Sequence, residues 1–136
     1  MSKTELQKVL PPETEVSRPF WEGCKAGELR MQHCSSCDRF QFYPRIVCSD
    51  CGSKELEWLP VSGRGVIASF TVVRRGISRA YDAPYVVVLI DLAEGVRMMS
   101  SLVGAEAESV SIGAAVQVEF EDWGQGCRLP VFRPVE

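Results

Sequence analysis

Four of the chain's six cysteines fall inside one short stretch, CSSCDRFQFYPRIVCSDC, from Cys34 to Cys51. Cys34, Cys37, Cys48 and Cys51 have the spacing C-x2-C-x10-C-x2-C. Two thiolates three positions apart on a tight turn can face one ion, so each pair is half of a tetrahedral site. Zinc takes four such sulfurs at about 2.3 Å, and a four-cysteine site leaves no open position, so the metal's role is structural. Two disulfides, or one redox-active C-x-x-C pair, are the competing chemistry, and the paired spacing favours metal over both. Iron in a rubredoxin-type site uses the same ligands, and spacing does not separate the two metals. His33 adjoins Cys34, but four sulfurs already fill a tetrahedron, so it is read as a surface histidine beside the site. Cys24 and Cys127 have no partner at metal spacing and are read as small, partly buried apolar residues.

The rest of the chain sets limits on what surrounds such a site. It has 136 residues, 46% of them apolar and 24% charged, a formal net charge of -3 and a pI near 5.3. That is enough for one domain with a small module attached. A chain that lives on phosphate backbones carries a basic surplus; this one does not, which puts nucleic acid behind other partners. The first twenty residues have no apolar run of signal-peptide type. The longest apolar run, APYVVVLI from Ala83 to Ile90, is too short to span a bilayer. The reading is a cytoplasmic protein without a membrane segment. Cytosolic thiols stay reduced, which strengthens the case for metal.

Three regions are expected: a flexible tail over 1–17, a helix plus ribbon over 18–59, and a β-barrel over 60–136. Ser17 is the expected N-cap of a short helix with Pro19 in its first turn, Phe20, Trp21 and Cys24 on its apolar face and Gly27 at its end. ELRMQHC then alternates as a strand. Gln41 to Val47 reads as a strand with a turn or bulge at Pro44, and Gly52 suits a position with φ > 0. Period-two patterning follows in Gly63–Arg75, Pro84–Gly95, Val96–Gly104 and Ala115–Glu121, with CRLPVFRP as the fifth strand and Glu94-Gly95 as a hairpin tip. Glu119, Glu121 and Asp122 are expected at a strand end facing solvent. Five short strands with one irregular stretch, GAEAESVSIG, match an OB barrel; a small sandwich is the alternative.

FWEGCKAGELRMQHCSSCDRFQFYPRIVCSDCGS, LEWLPVSGRGVIASFTVV, PYVVVLIDLAEGVRMMSSLVG, SIGAAVQVEFED and LPVFRP together resemble the zinc-ribbon/OB-fold acyl-CoA-associated family, formerly a domain of unknown function, over about residues 18–136. Asp38 departs from it, standing where members often have glycine after the second cysteine; no ligand is lost. The resemblance implies a mainly β chain with a short helix, a rubredoxin-like four-cysteine zinc ribbon and a five-stranded OB-fold barrel. It also implies a non-catalytic subunit of lipid metabolism. Its partner would be a thiolase, a thiolase-like acyltransferase or a sterol-carrier-type thiolase or aldolase, with acyl-CoA bound at a shared site.

The residues themselves show no catalytic constellation. There is one histidine, no G-x-S-x-G elbow and no phosphate loop. RRGISRAYDAP crowds Arg74, Arg75 and Arg79 beside Tyr81. Guanidinium forks suit phosphate and the ring could stack on adenine, so this loop is a candidate contact for the CoA nucleotide or for the rim of a partner's tunnel. A solvated loop is the plainer reading. Phe20 and Trp21 either fill the core or form an apolar docking patch. A single-strand nucleic-acid module is the alternative function, but residues 60–136 carry seven Arg/Lys against nine Asp/Glu. That is not the basic groove with interleaved aromatics such binding needs. A free-standing acyl-CoA hydrolase is disfavoured by the missing nucleophile.

Overall fold

The computed structural model describes residues 9–135. The first half of the expected tail, residues 1–8, lies outside them. The one α-helix among the described residues, α1 (Arg18–Lys25), carries Pro19 in its first turn and buries Phe20, Gly23 and Cys24. Ser17 occupies the N-cap position but does not cap with its side chain. Its hydroxyl instead accepts the Thr14 N–H at 3.0 Å, and Thr14 Oγ1 accepts the Ser17 N–H at 3.1 Å. This reciprocal bond fixes the turn before the helix and consumes the group that would have served the helix end. At the other end Gly27, with φ +78, lets its own N–H reach Cys24 O and the Glu28 N–H reach Gly23 O. These are the two bonds of a Schellman stop.

The chain then builds a small antiparallel sheet in the order β2-β1-β3, from β1 (Arg30–Cys34), β2 (Arg39–Gln41) and β3 (Leu56–Pro60). LEWLP, unassigned by pattern, pairs with all of β1, from Arg30↔Pro60 to Cys34↔Leu56. The strand expected over Gln41 to Val47 is corrected: β2 ends at Gln41, and residues 42–47 form a loop. The physical reason is in the next subsection.

Five further strands follow: β4 (Arg64–Val73), β5 (Tyr85–Leu92), β6 (Arg97–Leu102), β7 (Ala115–Gly124) and β8 (Cys127–Pro134). They close into a barrel in the order β4-β5-β6-β8-β7. β4 pairs with β7 from Arg64↔Gln117 to Val66↔Ala115, so there is no open edge and no sandwich. β8 runs antiparallel to β7 but parallel to β6, where Leu102 stands opposite Phe132. A single 3-10 turn, Ala107–Ser109, interrupts the irregular connection before β7. Gly63 enters β4 at φ +77, and a Cβ there would collide with the Val118 side chain. Only glycine satisfies both demands.

Period two sets the barrel core. Val86, Val88, Ile90 and Leu92 of β5 alternate inward, joined by Ile67, Met98, Leu102, Val116 and Phe132. The same cluster continues into Phe20, Cys24, Leu29 and Met31, so α1 and β1 rest on the barrel through one apolar core. β7 runs on to Gly124, so Glu119 and Glu121 lie within the strand rather than at its end. Glu119 is gripped by Arg133 of β8, and Asp122 accepts the Gly124 N–H at 2.7 Å where the hairpin turns.

Candidate metal centre and binding surfaces

Cys34 closes β1, and Cys37 lies in the turn that leads to β2. The Asp38 N–H closes that turn onto Cys34 O at 2.8 Å. Asp38 takes φ 59, the conformation glycine would adopt without cost, and Asp tolerates it better than most residues. Cys48 and Cys51 form the second turn, closed by the Gly52 N–H on Cys48 O at 2.9 Å, with Gly52 at φ +77 as expected. The sulfurs meet across the turns: Cys34 to Cys51 and Cys37 to Cys48 are each 3.6 Å, and all four lie within 4.8 Å of one another. Metal–sulfur bonds of about 2.3 Å in a tetrahedron place sulfurs about 3.8 Å apart, so the donor set fits. A disulfide needs about 2.05 Å, and all six cysteines are free thiols.

The electrostatics agree. The backbone N–H groups of Cys37 and Ser36 point at the Cys34 sulfur and hold that thiol down to about 6. Those of Cys51 and Asp50 lower Cys48 in the same way. Burial pushes Cys37 up to about 12, with the Cys34 charge among the further causes. Amide dipoles thus favour thiolate at the first cysteine of each pair, and a divalent cation supplies the charge that lets the others follow. His33 is not a ligand. Its Nδ1 bonds Glu57 Oε2 at 2.9 Å and its Nε2 bonds Asp38 Oδ1 at 2.8 Å, tying the first turn to β3.

Two buried glutamines explain why residues 42–47 are not a strand. Gln32 Oε1 accepts the Arg45 N–H at 2.8 Å, and its Nε2 donates to Arg45 O at 2.8 Å. Gln41 Oε1 accepts the Ser49 N–H at 2.8 Å, while its Nε2 donates to Gln32 Oε1 at 2.7 Å and Val47 O at 3.3 Å. Side chains therefore satisfy the backbone that a neighbouring strand would otherwise pair. Gln41→Leu is expected to destabilise the chain by about 2–3 kcal/mol, because it orphans buried partners. Hydrogen exchange at the Ser49 amide should speed up relative to the barrel; unchanged protection there would refute this account.

The loop so held presents apolar side chains to solvent: Tyr43 is 46% and Ile46 79% exposed, and Met99 of β6, 65% exposed, lines one groove with Tyr43. A groove of ≈ 160 Å³ runs between ribbon and barrel, walled by Trp21, Phe42, Tyr43, Met99 and Trp123. The structure separates the predicted aromatic pair. Phe20 is buried in the core, whereas Trp21 is half-buried on this groove, and its Nε1 is buried without a hydrogen-bond partner.

The arginine loop is likewise divided. Arg74 donates to Glu108 Oε1 at 2.9 Å, Arg75 and Arg79 are exposed, and the Tyr81 hydroxyl accepts the Val9 N–H at 2.8 Å. Tyr81 lines a cavity of ≈ 440 Å³ with Asp82, Tyr85, Glu121 and Trp123. Sequence reasoning missed this cluster because it ended β7 at Glu121, before Trp123. No helix among the described residues is long and apolar enough to cross a membrane.

A four-cysteine ribbon leading into a closed OB barrel is a specific architecture, and comparison with known proteins names it. Residues 21–57 match the rubredoxin-like zinc ribbon domain of ChsH2, and residues 58–121 match its C-terminal OB-fold domain. A probable enoyl-CoA hydratase alpha subunit of Thermomonospora curvata is 33% identical over 93% of this chain, which spans only 41% of that protein's length. The benzoylsuccinyl-CoA thiolase subunit BbsA of Geobacter metallireducens is 32% identical, over 76% of this chain and 75% of its own. Among solved structures, a chain of the Ltp2-ChsH2(DUF35) aldolase superposes with a TM-score of 0.84 at 31% identity, over 91% of this chain and 98% of that one. The chain belongs to the ChsH2/DUF35 family.

Proposed function

We propose that this chain is a scaffold subunit that assembles with a thiolase-like enzyme, or an aldolase of the Ltp2 kind, and helps hold acyl-CoA at a shared site. The observation that carries this reading is the near full-length match to a chain of an aldolase complex, together with the likeness to a thiolase subunit. The chain's own chemistry supports a non-catalytic role. Its one histidine has both ring nitrogens committed to carboxylates, and a four-sulfur site leaves no open coordination position. The metal is zinc, held by Cys34, Cys37, Cys48 and Cys51, and its contribution is the fixed shape of the ribbon. The parts divide as tail 1–17, helix and ribbon 18–59, and barrel 60–136. Arg75 and Arg79 take the nucleotide phosphates at the rim, and the Trp21 groove with its apolar loop faces the partner.

The test is co-purification of the full chain with a thiolase-fold subunit from the same organism, followed by thioester turnover assays on each part and on the complex. Assembly, with turnover confined to the partner or complex, is the expected result. Thioester turnover by the lone chain, or separate elution from every thiolase-fold protein of that organism, would overturn the proposal. Within the complex, a double variant R75A/R79A should bind a CoA ester about tenfold more weakly, the loss expected for one charge-assisted hydrogen bond. Unchanged affinity would remove the loop from the site.

A further inference from the structure

We propose that Arg45, with Tyr43 and Ile46, is an anchor that the ribbon sets into an apolar recess edged by a carboxylate on the partner enzyme. The proposal rests on the scaffold reading above and adds the chemistry that the partner's surface must carry. Tyr43, Arg45, Ile46 and Val47 are all exposed on the loop that follows β2. Tyrosine and arginine are enriched where protein surfaces meet, whereas lysine and the acids are depleted there. The stretch FYPRIV over residues 42–47 holds neither lysine nor an acid.

Charge decides what the partner must offer. Residues 18–59 contain four arginines. Arg18 faces Glu13 at 3.9 Å, Arg30 faces Glu28 at 2.8 Å and Arg39 faces Asp50 at 3.7 Å. Arg45 has no carboxylate at ion-pair distance among the described residues. Its backbone N–H and carbonyl are committed to Gln32, but its guanidinium is not. Asp38 and Glu57 are already engaged by His33, and Asp50 by Arg39. A guanidinium on a loop whose other exposed side chains are Tyr43, Ile46 and Val47 is stripped of water when an apolar surface covers them. Only a well-aligned carboxylate offsets that loss, and its geometry matches the forked donors of arginine. A recess without an acid, or one lined by lysine or arginine, is therefore rejected.

The test uses the full, zinc-loaded chain and a thiolase-fold subunit of the same organism. Arg45→Ala and Ile46→Asp, both at exposed positions, should keep the zinc content and melting temperature of the wild type. Each should weaken the complex at least about thirtyfold, the loss expected when a buried charge partner or a central anchor is removed. The complex of Arg45→Lys, treated with a carbodiimide, should yield an amide cross-link between the introduced amine and an Asp or Glu of the partner. Mass spectrometry should find it at that position and not in the wild type, because a guanidinium does not couple. Wild-type affinity in either weakening variant, or no cross-link at that position, would overturn the proposal and leave the scaffold reading standing. Self-association of the chain alone that Ile46→Asp removes would assign the loop to a second copy and overturn it equally. If the wild-type chain binds no thiolase-fold subunit, the scaffold reading falls and this proposal falls with it.

Discussion

Cys48→Ser is expected to abolish metal binding and to melt the ribbon. Cys48 is 3% exposed, and its sulfur meets that of Cys37 across the site. A hydroxyl is a poor ligand for this ion, and three remaining sulfurs do not complete its tetrahedron. Structural zinc contributes on the order of 10–16 kcal/mol of apparent binding energy. Losing most of it is comparable to the whole 5–15 kcal/mol that stabilises a typical domain. The β2 side of the ribbon has little apolar packing to replace it: Arg39 is exposed, Phe40 half-buried, and Gln41 buried but polar. Elemental analysis should show one zinc per wild-type chain and none in the variant, and the melting temperature should fall by more than about 15 °C, at about 4 °C per kcal/mol. Cys24→Ser is the control. Cys24 is fully buried but lies outside the sulfur cluster, so that variant should keep its metal. Full zinc occupancy in Cys48→Ser would refute the four-sulfur site.

Phe132→Ala should be the most damaging change in the barrel. Its side chain is completely buried and fills the point where the barrel closes. On one side it stands opposite Val118 of β7, on the other opposite Leu102 of β6, and its carbonyl accepts the Val103 N–H at 2.8 Å. The β6–β8 contact is parallel and short, so side-chain packing rather than a long ladder holds it shut. Removing a buried ring costs about 3–5 kcal/mol from lost transfer energy and the cavity left behind. Urea unfolding should show a lower midpoint with unchanged slope. Met99→Ala, on the exposed face of β6, should change stability by less than about 0.5 kcal/mol. A Phe132→Ala loss no larger than that of Met99→Ala would show that the barrel is not sealed at this residue.

The parts legible in the sequence are those governed by one local rule. Cysteine spacing revealed the four-sulfur cluster because two short turns suffice to aim four sulfurs. A continuous run of apolar, largely β-branched residues revealed β5 as a strand, in which the structure fully buries every second residue from Val86 to Leu92. Misreadings arose where the decisive partner is distant. Gln41 to Val47 has a strand-like composition, yet its backbone bonds go to glutamine side chains, one of them nine residues earlier on β1. β3 lacks clean alternation and owes its existence to pairing with β1. Arg74 looks like a phosphate ligand until Glu108, thirty-four residues on, folds back to neutralise it. The Tyr81–Trp123 corner joins residues forty-two positions apart. No window of sequence short enough to show a period could contain it.

The glutamine-tied loop has a consequence for association. Tyr43 and Ile46 sit on a backbone whose amides and carbonyls are already held from inside at Arg45, Val47 and Ser49. An oily surface normally surrenders freedom when it is covered, and that surrender weakens affinity. Here the ordering is complete before any encounter, so whatever settles on these side chains meets a finished mould and loses little motion by doing so.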